Sequence, residues 1–146
     1  MDTLTVHPIG RVRREEERTW LVLDEPWRPG LIRLEEYSHL AVLWWFDQQK
    51  GRHADGRAML RMEREGVGTV GIFATRSPHR PNPIALSMVK ILGVDVAGGR
   101  VEIDGIEAYD NTALVDLKGY SPALDSIPDA VTPAWSGSHR RAKAEE

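Results

Sequence analysis

Between Gly71 and Ser87 the chain reads GIFATRSPHRPNPIALS, and this segment holds the residues best suited to chemistry. Arg76, His79, Arg80 and Asn82 stand among Pro78, Pro81 and Pro83, directly after an apolar run. Proline fixes φ and restricts the residue before it, so such a loop holds its polar groups in place with little ordering cost on binding. Arginines suit carboxylates and other anions through charge-assisted, bidentate hydrogen bonds, and asparagine adds a donor and an acceptor. The segment is therefore built to recognise a small polar ligand. The plainer reading, arginines paired with surface carboxylates, does not account for the proline bracing beside Asn82.

A second pattern fails on its surroundings. Gly66, Gly68 and Gly71 in GVGTVG have the G-x-G-x-x-G spacing of a dinucleotide-binding turn, which needs a helix to follow. The three prolines downstream cannot sit in a helix interior. The glycines are read instead as strand entry and bends, and a Rossmann-type site is excluded.

The elements that position the loop are short and rich in Val, Ile, Leu and Trp: LTVHPIGRV from Leu4, TWLVL from Thr19, HLAVLWWF from His39, TVGIF from Thr69, IALSMVKILGV from Ile84 and RVEIDGI from Arg100. Gly, Pro, Asn and Asp separate them, which predicts strands joined by turns and a mainly β fold. Helix is open at Arg33 to Tyr37, and Arg57 to Glu65 is ambiguous between helix and strand. In Trp44-Trp45-Phe46 the alternation of a strand puts one tryptophan in the core and the other outside or at an interface.

A chain of 146 residues with 41% apolar content closes one core. One domain is expected over 1–132, with a mobile tail over 133–146, where Ser, Gly and charge dominate. The absence of cysteine excludes disulfide frameworks, thiolate zinc sites and cysteine nucleophiles. His39 and His79 stand apart from other ligand types, so no metal is expected, and His39 is read as satisfying a local hydrogen bond at its strand's start. No run approaches the roughly 20 apolar residues that span a bilayer, and the N-terminus lacks a secretory pattern, so no membrane partner and a cytoplasmic location are expected.

The net charge of -3 means that any nucleic-acid contact must rest on a local patch. Lys50, Arg52, His53, Arg57, Arg61 and Arg64 carry five formal positive charges against Asp55 and Glu63, and the tail adds HRRAK. A phosphate-binding surface and a solvated loop are nearly equal readings of that stretch.

The segment from Gly71 to Ser87 resembles the hallmark GVFATRSPxRPNPIGLS of the TrmO (TsaA-like, YaeB-like) family. The resemblance extends through PGLIRLEEYSHLAVLWWF from Pro29 to Phe46 and DGIEAYDNTALVDLKGYSP from Asp104 to Pro122, covering most of the chain to about Asp129. It implies a single-domain, non-Rossmann β-barrel methyltransferase that is a homodimer and binds S-adenosylmethionine near the subunit interface. The acceptor it implies is threonylcarbamoylated adenosine beside the anticodon of tRNA, methylated on N6.

Carried onto this chain, the family motifs make Phe73, Ala74, Thr75, Arg76, Ser77 and Arg80 cofactor-binding candidates, joined by Asp110, Thr112, Leu114 and Lys118. Methyl transfer to nitrogen is an in-line displacement that draws mainly on alignment, and Asn82 and Tyr120 are the catalytic candidates for orienting a poorly nucleophilic N6. No general base is assigned. By residue type alone, Asp110 and Asn111 are turn residues, Lys118 an exposed charge and Tyr120 a half-buried aromatic.

Departures from the family pattern bear on the acceptor. Asn111, Ala113 and Gly119 stand where Gly, Pro and Pro are usual, Ala85 replaces Gly, and Asp47 replaces a frequent His. Two alternatives therefore stand beside tRNA methylation: a methyltransferase with a small-molecule acceptor, and a noncatalytic module that binds S-adenosylmethionine or RNA.

Overall fold

The computed structural model describes residues 2–46, 58–62 and 66–136. Six strands close a barrel: β1 (Gly10–Glu15), β2 (Arg18–Leu23), β3 (His39–Trp45), β6 (Ile84–Asp95), β7 (Arg100–Ile103) and β8 (Ala113–Gly119). Their order is β1-β2-β7-β6-β3-β8, every neighbour is antiparallel, and β8 closes on β1 through Gly10 opposite Leu114 and Arg11 opposite Ala113. Closure at Gly10 is tight. A Cβ there would lie 2.1 Å from the Val22 carbonyl oxygen, so only glycine fits without moving the strand.

Period-two alternation fills the interior. Val12, Leu21, Leu23, Leu40, Val42, Trp44, Ala85, Val89, Val101, Ile103 and Leu114 form the core, and Leu31, Ile106 and Ala108 plug it from the connecting segments. Trp44 is in that core, with its indole N–H donating to Ser87 Oγ at 2.9 Å, while Trp45 faces outward and is partly exposed. Outside the barrel, β4 (Met59–Met62) and β5 (Gly68–Gly71) form a hairpin that leads into a 3-10 turn at Ile72–Ala74. Gly66 and Gly68 take positive φ in its connection and entry, and no helix follows them.

Several elements differ from expectation. The first strand begins at Gly10, since Leu4 to Ile9 take no strand pairing around Pro8. The possible helix at Arg33 to Tyr37 is a 3-10 turn over Leu34–Glu36 with Arg33 at φ 72, and β4 is a strand where the sequence was ambiguous. The sequence reading missed β8 as a strand and a one-turn helix at Pro122–Asp125. A bulge explains β8: Leu43 faces Asp116 while Trp44 faces Leu114, leaving Val115 extra, so Leu114 and Leu117 both pack on the core despite being three apart.

Among the described residues no helix is long and apolar enough to cross a membrane, and no group of three or more His, Asp or Glu is placed to hold a metal ion. Asp47, the basic stretch from Lys50 to Arg57, Glu63, Arg64 and the HRRAK tail lie outside the described residues, and Arg61 enters only as the β4 position paired with Thr69.

Candidate functional site

The proline loop runs from the 3-10 turn at Ile72 to Pro83 and is anchored at both ends. Ile72 is buried, its N–H donates to the Ala58 carbonyl at 2.8 Å, and at the far end Phe46 N–H donates to the Pro83 carbonyl at 2.9 Å. Between the anchors the side chains fold the backbone. Thr75 Oγ1 donates to the Ile72 carbonyl at 2.8 Å and accepts from Ser77 N–H at 3.2 Å; Ser77 Oγ then accepts from His79 N–H at 3.2 Å. These are two successive hydroxyl-to-backbone turns, a mechanism that orders a loop locally.

Arg80 closes the loop on itself. One terminal nitrogen donates to the carbonyls of Thr75 and Ser77, each at 3.1 Å, while Arg80 N–H donates to the Pro78 carbonyl at 2.8 Å. Thr75, Ser77 and Arg80 thus shape the loop through these bonds. What the loop presents outward is Phe73, 82% exposed, with Ala74, Arg76 and Asn82 also exposed. Arg76 makes a long contact of 3.4 Å to the Leu86 carbonyl on β6, and the Asn82 carbonyl accepts from Ile84 N–H at 2.7 Å.

The second segment, Ile106 to Thr112, lies at the same end of the barrel, because β8 begins beside Trp44 and β6 begins beside Trp45. Asp110 Oδ1 accepts from Arg14 N–H at 2.8 Å. Asn111 turns the chain at φ 69, a conformation that asparagine tolerates better than most residues. Thr112 is 1% exposed and Leu114 is wholly enclosed in the core, so neither side chain presents a surface to a ligand in this structure.

Lys118 and Tyr120 stand at the opposite end. Six residues at about 3.4 Å each separate Tyr120 from Leu114 by roughly 20 Å along the strand. Tyr120 N–H donates to the His39 carbonyl at 2.9 Å, and exposed Lys118 pairs with Asp116 at 3.1 Å. One chain therefore gathers the loop residues with Asp110 and Thr112, and leaves Lys118 and Tyr120 apart. His39, at the head of β3, has its ring Nδ1 2.7 Å from Ser38 Oγ. Gly119, where the family carries Pro, is covered by the Tyr37 ring, which a Cβ would meet at 2.7 Å.

Arg14 was missed by the sequence reading. Its guanidinium donates to the carbonyls of Ile106 and Ala108, the latter at 2.7 Å, and so holds the segment that carries Asp110. The signal was available, since alternation from Gly10 and Val12 places Arg14 on the inward side at the barrel rim.

With this geometry the chain can be set beside known proteins. Residues 4–126 match the model of the tRNA-methyltransferase O N-terminal domain. The chain belongs to the TrmO family. A crystal structure of TrmO from Pseudomonas aeruginosa superposes with a TM-score of 0.70 at 30% identity, covering 91% of this chain and 63% of that one. A probable S-adenosyl-L-methionine-binding protein of Methanocaldococcus jannaschii is 37% identical, covering 81% of this chain and 93% of its own length. A mouse tRNA (adenine(37)-N6)-methyltransferase is 38% identical over 66% of this chain. The TrmO-family domain spans only 22% of the mouse protein, and 30% of a similar Archaeoglobus fulgidus protein.

Proposed function

We propose that this chain is an S-adenosylmethionine-dependent methyltransferase acting on N6 of an adenosine in tRNA, with threonylcarbamoyladenosine beside the anticodon as the acceptor. The observation that carries the reading is the proline loop, a segment already ordered by its own hydroxyls and by Arg80, and presenting an aromatic ring and a cation outward. Family membership and the mouse relative's printed activity support the reaction type.

The residues present fit such a cofactor. An exposed Phe73 suits the face of an adenine, Arg76 suits a carboxylate, and Ala74 leaves room between them. When bound, S-adenosylmethionine supplies an electrophilic methyl group. Thr75, Ser77 and Arg80 keep the binding conformation populated, while Asn82, exposed at the loop's end, offers its amide to orient the acceptor. Asp110 acts from the adjoining segment, whose position Arg14 fixes.

The chain is further proposed to work as a homodimer. The outward rows Trp45–Ile84, Leu43–Leu86 and Ala41–Met88 make an apolar face across β3 and β6, and Leu86 is 38% exposed there. A second copy against that face would cover it and allow Lys118 and Tyr120 of one subunit to approach the loop of the other.

Titration calorimetry with S-adenosylmethionine is the test. Saturable binding at about one site per chain, weakening on dilution below the dimer's dissociation constant, is expected. Folded, dimeric protein that binds none would refute the cofactor assignment, and binding without transfer to any acceptor would leave the noncatalytic module as the correct reading.

A further inference from the structure

The side of the barrel away from the apolar rows carries the opposite chemistry. Strand register places Arg11, Val22 and Arg100 in one outward row across β1, β2 and β7, and Arg13, Trp20 and Glu102 in the next. The Arg100 guanidinium lies over the Trp20 ring, 4.2 Å from its centroid. Glu102 is paired diagonally with Arg18 at 3.7 Å, and Arg13 donates to the neutral amide oxygen of Asn111 at 3.4 Å. The other acids of this sheet, Glu15, Glu16 and Glu17, are at the β1–β2 hairpin tip, beyond both rows. A cluster of arginines around a half-buried tryptophan thus forms on a chain whose net charge is -3.

We propose that this face, through Arg13 and Arg100 with Arg11 alongside, binds the sugar–phosphate backbone of the RNA that the enzyme modifies. The inference rests on the tRNA reading above and names the surface that reading lacks. Arginine's planar fork matches phosphate bidentately, and stacking on Trp20 holds the Arg100 fork against the sheet before RNA arrives. Position supports the assignment as well as charge. The first row continues from Arg11 to Ala113 on β8, whose neighbour Leu114 faces Trp44, and Trp45 in turn faces Ile84 at the foot of the proline loop. Arg11 also donates to the Asn111 carbonyl at 3.3 Å, joining the face to the segment that carries Asp110. A strand held on the arginines is thereby led along the barrel rim toward the loop.

The experiment is fluorescence anisotropy with a labelled tRNA transcript across a salt series, comparing the wild type with R13Q/R100Q and with R33Q. Arg33 is an exposed arginine paired with Glu36 on the turn before β3, outside the proposed face, and controls for loss of charge alone. For R13Q/R100Q the expectation is at least about tenfold weaker binding at 0.1 M salt and a log–log salt slope shallower by at least about 1. R33Q should match the wild type, and circular dichroism should show all three folded.

Equal affinity and slope for R13Q/R100Q and wild type, with methyl transfer to tRNA intact, would overturn this surface while leaving the proposed reaction standing. Wild type that neither binds nor methylates tRNA would overturn both. Displacement of the transcript by polyglutamate as readily as by unlabelled tRNA would assign the face to an acidic protein partner and overturn the RNA assignment. Should R13Q/R100Q lose its fold, R13E alone supplies the comparison, because Arg13 is exposed and stacks on nothing described.

Discussion

Arg80→Ala separates a residue that shapes the loop from one that touches ligand. The half-buried guanidinium donates to the carbonyls of Thr75 and Ser77. Hydrogen bonds to a charged donor contribute about 1.5–3 kcal/mol each when well shielded, and partial exposure with a shared donor nitrogen reduces the pair to roughly 2 kcal/mol. That energy holds the loop against local opening, and the barrel can remain folded while the loop opens. The dissociation constant for S-adenosylmethionine should therefore rise by up to about 30-fold in calorimetry, since 1.4 kcal/mol is a factor of ten. The melting temperature should fall by under about 2 °C, whereas the same energy lost from global stability would lower it by roughly 8 °C. Arg80→Lys, with a smaller head unable to reproduce the fork, should recover only part of the affinity. Unchanged affinity in Arg80→Ala would refute the loop-ordering role, and a fall near 8 °C would make Arg80 part of the barrel's own stability.

Three further outcomes follow from the fold. Gly10→Ala drives a Cβ into the Val22 carbonyl at 2.1 Å and should destabilise the barrel by roughly 3 kcal/mol or more, read as a lowered urea midpoint. Trp44→Phe leaves the buried Ser87 hydroxyl without its indole partner and should cost about 1–3 kcal/mol by the same measurement, with Ser87→Ala in the Trp44→Phe background recovering part of it. Asn111 sits at φ 69, so Asn111→Ala should lose about 1 kcal/mol and Asn111→Gly should lose less, which thermal melts can order.

The barrel was legible because its inward residues alternate cleanly in β2, β3 and most of β6, so each apolar run declared its strand and its buried face. Where a bulge breaks the alternation, at Val115, the strand was lost from the reading, although ALVDLKG is as apolar as its neighbours on the core side. Short 3-10 turns at Leu34–Glu36 and Ile72–Ala74 have no periodicity long enough to announce them. The stiff loop was visible from its prolines, but composition could not say that Thr75, Ser77 and Arg80 spend their polar groups inside it. Nor could spacing reveal that Lys118 and Tyr120 stand at the other end of β8, since that depends on the barrel's register.

Methyl transfer from labelled S-adenosylmethionine to tRNA carrying threonylcarbamoyladenosine, beside the same tRNA lacking that modification, tests the central claim most directly. The account predicts label only in the modified tRNA, recovered after digestion in a nucleoside one methyl heavier than threonylcarbamoyladenosine. Label in neither tRNA, from protein that binds the cofactor, would contradict it.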